Sequence, residues 1–293
     1  MNSYIIQSNE KLPTPKLGSE NLTKFYAEFS ANKWTEYFYT HCEIFEKLLP
    51  SKKLFALYHD NIIRITAALQ RHFEAAAKAN AHSLLLFEKR YPTKLTFVSD
   101  APLMLTFVGQ GTLLAQKNIA LVGSRKANPL VLDKCYSFAK NLSKDHVIIS
   151  GGAYGCDIAA HLGALDSKQI PTPTIVVFAG GLFRWFPRGN HHIFRKIFEN
   201  GGVLLSERLW HSVPRPCDFP IRNRIISGMS QQLVIMQAQR RSGALTTARY
   251  ALDQGRDIYV YQPSRVQHPS YIGSEELIAQ GAESFQDISE LPL

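Results

Sequence analysis

A doubly wound α/β fold is predicted by three features of the sequence. Short apolar runs at Ile119–Val122, Val147–Ile149, Thr174–Phe178, Gly202–Leu205, Leu233–Met236 and Asp257–Tyr261 alternate with helix-like runs near 130–143, 156–166, 191–200, 220–229 and 244–254. Strand–helix alternation of this kind builds an α/β sheet. The runs are continuous in Val, Ile and Leu rather than alternating with polar residues, as in parallel strands covered on both faces. Small and basic residues follow several of the runs directly, where folds of this class bind ligands.

The chain begins with a polar stretch over 1–20 that carries Pro13, Pro15 and Gly18 and reads as a loose tail. From 21 to 89 the pattern is helical: Ile62, Ile65, Leu69, Phe73 and Ala76 recur at helical spacing, and glycine is absent from Asn21 to Val108. This predicts a small all-helical region ahead of an α/β domain over 90–293. Tyr91-Pro92 opens the second texture, and Pro102, Gly109 and Gly111 punctuate short apolar segments before the regular alternation starts.

The 293 residues carry a hydrophobic content of 45% and a net charge of +9. The charge is concentrated. From Arg184 to Arg265 there are thirteen Lys and Arg, twelve of them Arg, against five Asp and Glu, so +8 lies there and +1 in all the rest. The planar arginine fork suits phosphate oxygens better than a lysine point charge, so the excess favours a polyanionic partner. The four cysteines are scattered without a CxxC pair, which indicates neither a zinc site nor a disulfide framework, and reduced thiols of a cytoplasmic protein are expected. The N-terminus has no signal-peptide pattern, and no apolar run is long enough to span a membrane.

The stretch from Asp218 to Gly228 places Phe219, Arg222, Asn223 and Arg224 on one short segment. An aromatic face with interleaved basic groups is what binding of a single nucleic-acid strand needs. A surface loop entering a helix with solvated arginines has the same composition. If the segment is extended, Arg222 and Arg224 point the same way; if it is helical, they diverge and only one can face a bound strand. At the strand ends stand Gly123-Ser124-Arg125-Lys126, Ser150-Gly151-Gly152, Gly180-Gly181 with Phe186-Pro187-Arg188-Gly189-Asn190 beyond, Ser206-Glu207, and Arg240-Arg241-Ser242-Gly243. Small residues admit a ligand close to the backbone, and the amides of a following helix start can hold an anion.

Several chemistries fail on spacing. No Gly-Lys pair exists, which excludes a P-loop. Ser150 stands where a dinucleotide fingerprint needs its first glycine, and no acid follows the next strand, so NAD is not expected. His191-His192 lacks a third metal ligand. Glu207 could act as a base but has no nucleophile beside it. His161 reads as a packing or capping histidine, and Asp157 as a first-turn acid.

In order and spacing these blocks resemble the DNA-processing protein A family (DprA, also called Smf). The resemblance runs from about Tyr91 to Phe285: Tyr91-Pro92, Asp100-Ala101-Pro102, Gly123-Ser124-Arg125, Ser150-Gly151-Gly152 to Asp157, Ala160-His161, Phe186-Pro187, Leu205-Ser206-Glu207, Phe219-Pro220 with Arg222-Asn223-Arg224-Ile225-Ile226, Arg241-Ser242-Gly243-Ala244 to Arg249, and Gly281-Ala282. Tyr154 stands where arginine is usual, Gln237 where the fifth strand usually ends in glutamate, and Ser264 where glycine is usual. The resemblance implies an extended Rossmann-like, mostly parallel sheet, without the C-terminal winged helix of many members. It also implies single-stranded DNA bound in a basic pocket, a homodimer, protection of incoming strands, and loading of the RecA recombinase during natural transformation. The candidate DNA-binding set is Gly123, Ser124, Arg125, Lys126, Ser150, Gly151, Gly152, Arg188, Asn190, Arg215, Phe219, Arg222, Asn223, Arg224, Arg241, Ser242 and Gly243, with Phe219 as the stacking platform. No catalytic residue, cofactor or metal is expected. The competing readings are a nucleotide-sensing module and a nucleotide N-glycosidase-like enzyme of the related lysine-decarboxylase-like family. The second needs a glutamate where Arg241–Arg249 has no acid.

Overall fold

The computed structural model describes residues 68–86, 88–263 and 268–292. The tail expected over 1–20 and the expected helical stretch up to residue 67 lie outside these residues. The chain divides into two compact units, Met1–Glu74 and Ala75–Leu293, and the sheet belongs wholly to the second.

The sheet has nine strands: β1 (His82–Leu85), β2 (Met104–Val108), β3 (Asn118–Val122), β4 (Val147–Ser150), β5 (Thr174–Phe178), β6 (Val203–Ser206), β7 (Gln232–Ile235), β8 (Asp257–Tyr261) and β9 (Glu283–Phe285). Their order across the sheet is β1-β2-β6-β5-β4-β3-β7-β8-β9. The pairs from β6 through β9 are parallel, and β1 and β2 add antiparallel at one edge. The helices that follow the parallel strands are α1 (Pro129–Leu142), α2 (Cys156–Asp166), α3 (His191–Glu199), α4 (Asp218–Met229), α5 (Gly243–Asp253) and α6 (Ile272–Ala279). The expected α/β alternation is therefore observed, together with three strands that the sequence reading does not contain.

One of them corrects a boundary. A helical region was expected through residue 89; the described part is helical only over 68–78, and His82–Leu85 forms β1. Its register on β2 pairs Ser83 with Thr106, whose hydroxyls meet at 3.1 Å. A four-residue strand carries no period of its own, so it reads as an extension of the helix before it until a partner strand is known.

Both faces of the central strands are buried. On one face Ala120, Val122, Ile149, Val177 and Leu233 pack with Ile225, Ile226 and Met229 of α4 and Ala248 and Ala251 of α5. On the other, Ile119, Leu121 and Ile148 pack with Cys135 and Phe138 of α1 and Ala160 and Ala164 of α2, while Phe178 and Leu204 pack with Phe194 and Ile197 of α3. This is why the strands read as unbroken apolar runs. β3 is followed by β4, β5 and β6 to one side, and the chain then returns to lay β7 on β3's other side. The crevice between the carboxyl ends of β3 and β7 is thus the topological switch point.

Gly155 caps the start of α2 with a φ of +80°. A Cβ there would stand 2.2 Å from the Ser124 carbonyl oxygen. Gly155→Ala therefore combines left-handed strain with a backbone clash. It is expected to destabilise the fold by about 2–4 kcal/mol, read as a melting temperature lower by roughly 5–15 °C.

His161 is fully buried in α2. Its Nδ1–H donates to the Thr174 hydroxyl at 2.8 Å, and that hydroxyl donates in turn to the Ile148 carbonyl at 2.8 Å. Nε2 has no partner among the described residues, so a second ring proton would have no acceptor. Burial, with a smaller contribution from Arg222, lowers the His161 pKa to about 3. The unfolded state binds this proton below about 6.5 while the folded state does not, so the contribution to stability is full above that pH and is lost as pH falls towards 3. Chemical denaturation between pH 7 and 4 should show wild type losing more stability than His161→Gln over that range.

Candidate nucleic-acid interface

The switch point opens into a hollow of about 720 Å³ lined by residues that follow five strands. Gly123, Ser124, Arg125 and Lys126 follow β3, and Ala153 and Asp157 follow β4. Phe186 comes from the loop after β5, and Ser242, Gly243 and Ala244 stand at the start of α5. Pro216 precedes α4, which contributes Phe219, Pro220, Arg222, Asn223 and Ile226. A smaller hollow of about 120 Å³ adjoins it and shares Arg125, Ala153, Phe186, Phe219 and Arg222 while adding Gly151, Tyr154 and Pro214.

The segment from Asp218 onward is helical, so its two arginines diverge. Arg222 is buried beneath the hollow. Its guanidinium donates to the Gly151 carbonyl at 2.9 Å, to the Val177 carbonyl, and to Asn223 Oδ1 at 3.1 Å. It thereby ties α4 to the carboxyl ends of β4 and β5. Burial lowers its pKa to about 10, against the opposing pull of Asp157, so it remains charged at neutral pH. Asp157 is itself buried. Burial pushes its carboxyl above the usual range, and Arg222 works in the other direction. A Cβ at Gly151 would lie 2.4 Å from Arg222 Nη2 and 2.8 Å from Asp157 Oδ2, so glycine is what lets both groups close on this turn.

Arg224 faces elsewhere and does not line the hollow. It forms a bidentate pair with Glu207, Nη1–Oε1 2.9 Å and Nη2–Oε2 2.7 Å, and its Nε lies 2.8 Å from Asp100 Oδ2. Burial opposes its charge, but Glu207 and Asp100 raise its pKa above the ordinary value. Glu207, which the sequence offered as a possible base, is thereby occupied. Arg215 is paired with Asp218, which also accepts from Arg208 at 2.7 Å.

The remaining expected residues divide into lining and support. Ser150 is buried, and its hydroxyl donates to the Leu121 carbonyl at 2.6 Å. Asn190 is buried and donates to the Gly152 carbonyl at 3.0 Å, so both Asn190 and Gly152 shape the glycine turn from behind. Arg188 is exposed and lines a neighbouring hollow. Arg241 is exposed, with φ +59°, beside the hollow rather than on its wall.

What is free at the surface is compact. Arg125 and Lys126 are exposed, and no ion pair holds either among the described residues. The Arg125 guanidinium carbon stands 5.8 Å from the centre of the half-buried Phe219 ring. Phe186 meets the same ring edge-on at 5.4 Å. Ser242 Oγ is buried without a protein partner among the described residues, whereas a Cβ at Gly243 would touch nothing within 4 Å, so the helix start is open at Gly243. Phe186 was not in the expected site; its signal was an aromatic-Pro-Arg run just past a Gly-Gly strand end. Gln237, two residues past β7, is buried and structural: it accepts from the Asn128 amide at 2.9 Å and donates to Ser270 Oγ at 2.7 Å. Among the described residues no cluster of three potential metal ligands occurs, and no helix is long and apolar enough to cross a membrane.

The family model for DNA recombination-mediator protein A matches residues 82–292. The DNA processing protein DprA of Bacillus subtilis is 35% identical over 234 residues, covering 76% of each chain. The Smf protein of Borreliella burgdorferi is 35% identical over 185 residues, which are 63% of this chain and 58% of that protein's length. The DprA structure from Streptococcus pneumoniae superposes with a TM-score of 0.68 at 28% identity, covering 80% of this chain and 86% of that one. The DprA structure from Helicobacter pylori, described for its unique single-stranded DNA binding mode, superposes with a TM-score of 0.63 at 30% identity, covering 71% and 92%. Fold and sequence agree, and the chain belongs to the DprA/Smf family of DNA recombination mediators.

Proposed function

We propose that this chain binds single-stranded DNA in the switch-point hollow and acts as a non-catalytic recombination mediator. In this reading it protects incoming single strands and delivers them to the RecA recombinase during natural transformation. The observation that carries the reading is the pairing of an unneutralised Arg125 with the ring of Phe219 at the mouth of the hollow. A cation for phosphate beside an aromatic face for a base is the minimum unit of sequence-tolerant strand binding. The start of α5, open at Gly243, supplies backbone amides for a second phosphate. Family membership and the H. pylori relative's single-strand mode support the same substrate. The proposed assembly is a homodimer in the cytoplasm, both on family grounds.

The glycosidase alternative has less support. The acid that lines the hollow, Asp157, is buried against the Arg222 cation, and Glu207 is held by Arg224. Neither stands free with a nucleophile, so binding without turnover is the proposal. Labelled oligonucleotides titrated at several salt concentrations test it. Single strands should bind more tightly than duplex, with affinity falling steeply in salt as counterions are released; equal affinity for duplex or a flat salt response refutes the reading.

Two substitutions should separate the contacts. Arg125→Ala is expected to weaken binding and to flatten the slope of log affinity against log salt by roughly 0.7, as loss of one single-strand phosphate contact does. Phe219→Ala is expected to weaken binding by about 1–3 kcal/mol with the slope nearly unchanged. If Phe219→Ala instead lowers the melting temperature sharply and spares binding in the folded fraction, the ring is core and not platform.

A further inference from the structure

A second hollow, about 740 Å³, lies next to the first and is not part of the expected site apart from Arg188. Trp185, Phe183 and Phe198 supply aromatic walls, and Arg184 stands with Arg188 at its edge. Phe183 is 59% and Phe198 44% exposed, although large aromatics in this domain are otherwise mostly buried. Trp185 is held from behind: its ring stacks on Phe178 with an interplanar angle of 13° and meets Phe194 edge-on, while His191 Nε2 lies 2.7 Å from its carbonyl oxygen. Phe183 is steadied edge-on by His211 at 4.5 Å. These are fixed rings with free surface. Arg184 and Arg188 are exposed and have no ion pair among the described residues, and no Asp or Glu lines the hollow.

The two hollows share a wall. Phe186 lines the main hollow, the small one beside it and this one, and Pro214 lines the last two. The surface from Arg125 to Arg184 is therefore one path carrying cations and aromatic rings. An apolar peptide would leave the two arginines without counter-charge, whereas a single strand uses both kinds of group.

The geometry points to a second base-stacking subsite in which the strand seated in the switch-point hollow continues past Phe186, stacks a base on Phe183 or Trp185, and sets a phosphate on Arg184. The inference rests on the single-strand reading above and adds to it a direction and a longer footprint. It makes affinity depend on oligonucleotide length through residues remote from Arg125.

The test compares oligothymidylates of about 5 and about 20 nucleotides on the full chain, for wild type and for Phe183→Ala with Arg184→Ala. Both side chains are exposed, so the melting temperature should not move. The double variant should bind the long oligonucleotide roughly 10-fold or more weakly, with the salt slope flattened by about 0.7, and bind the short one as wild type does. If the double variant keeps wild-type affinity for both lengths, or loses affinity for both alike, the subsite is wrong while the main hollow stands. If wild type binds neither length, the single-strand reading has itself failed and the subsite falls with it.

Discussion

The buried guanidinium of Arg222 is the interaction on which this site depends. A parallel sheet ends at its carboxyl edge in loops, and loops left alone do not hold a binding surface to a fraction of an ångström. Arg222 reaches from α4 to the carbonyls that close β4 and β5, and Asp157 flanks the same glycine turn from α2. A buried cation is tolerated only when hydrogen-bonded and charge-compensated. Here two carbonyls and a nearby carboxylate do that, and the glycine turn, α2 and α4 are fixed together as a consequence.

That arrangement determines which positive groups are available to a ligand. Arg224 is committed to Glu207 and Asp100, Arg215 to Asp218, and Arg222 to the strand ends. Arg125, Lys126, Arg184 and Arg188 carry no such commitment among the described residues. The regional excess of +8 therefore overstates the number of phosphate contacts, since part of it holds the fold. The glycine turn gives the matching lesson for small residues: Gly151 makes room for Arg222 and Asp157, whereas the open position at Gly243 leaves room for a ligand.

The parallel core was legible because its strands are buried on both faces and so read as unbroken apolar runs of the right length. β1 and β9 were not, for the opposite reason: at four and three residues on the sheet's two edges they lack a period of their own. The site was legible as a set of blocks but not as a division of roles. Sequence places Arg222, Asn223 and Arg224 side by side; only the 100° turn per residue of a helix sends Arg224 to Glu207 and Arg222 under the glycine loop. Likewise Asn190 and Ser150 belong to the site as supports, and Phe186 joins it through a packing against Phe219 that no spacing announces.

The most direct test of Arg222 as a support rather than a phosphate ligand is a double-mutant cycle on folding stability with Arg222→Met, Asp157→Asn and the pair. The account predicts that Arg222→Met alone costs about 3–5 kcal/mol by leaving a buried carboxylate uncompensated, and that adding Asp157→Asn recovers part of that loss, giving a coupling of about 1 kcal/mol or more. A single Arg222→Met variant that melts like wild type, shows no coupling to Asp157, and merely flattens the salt slope of single-strand binding would contradict it.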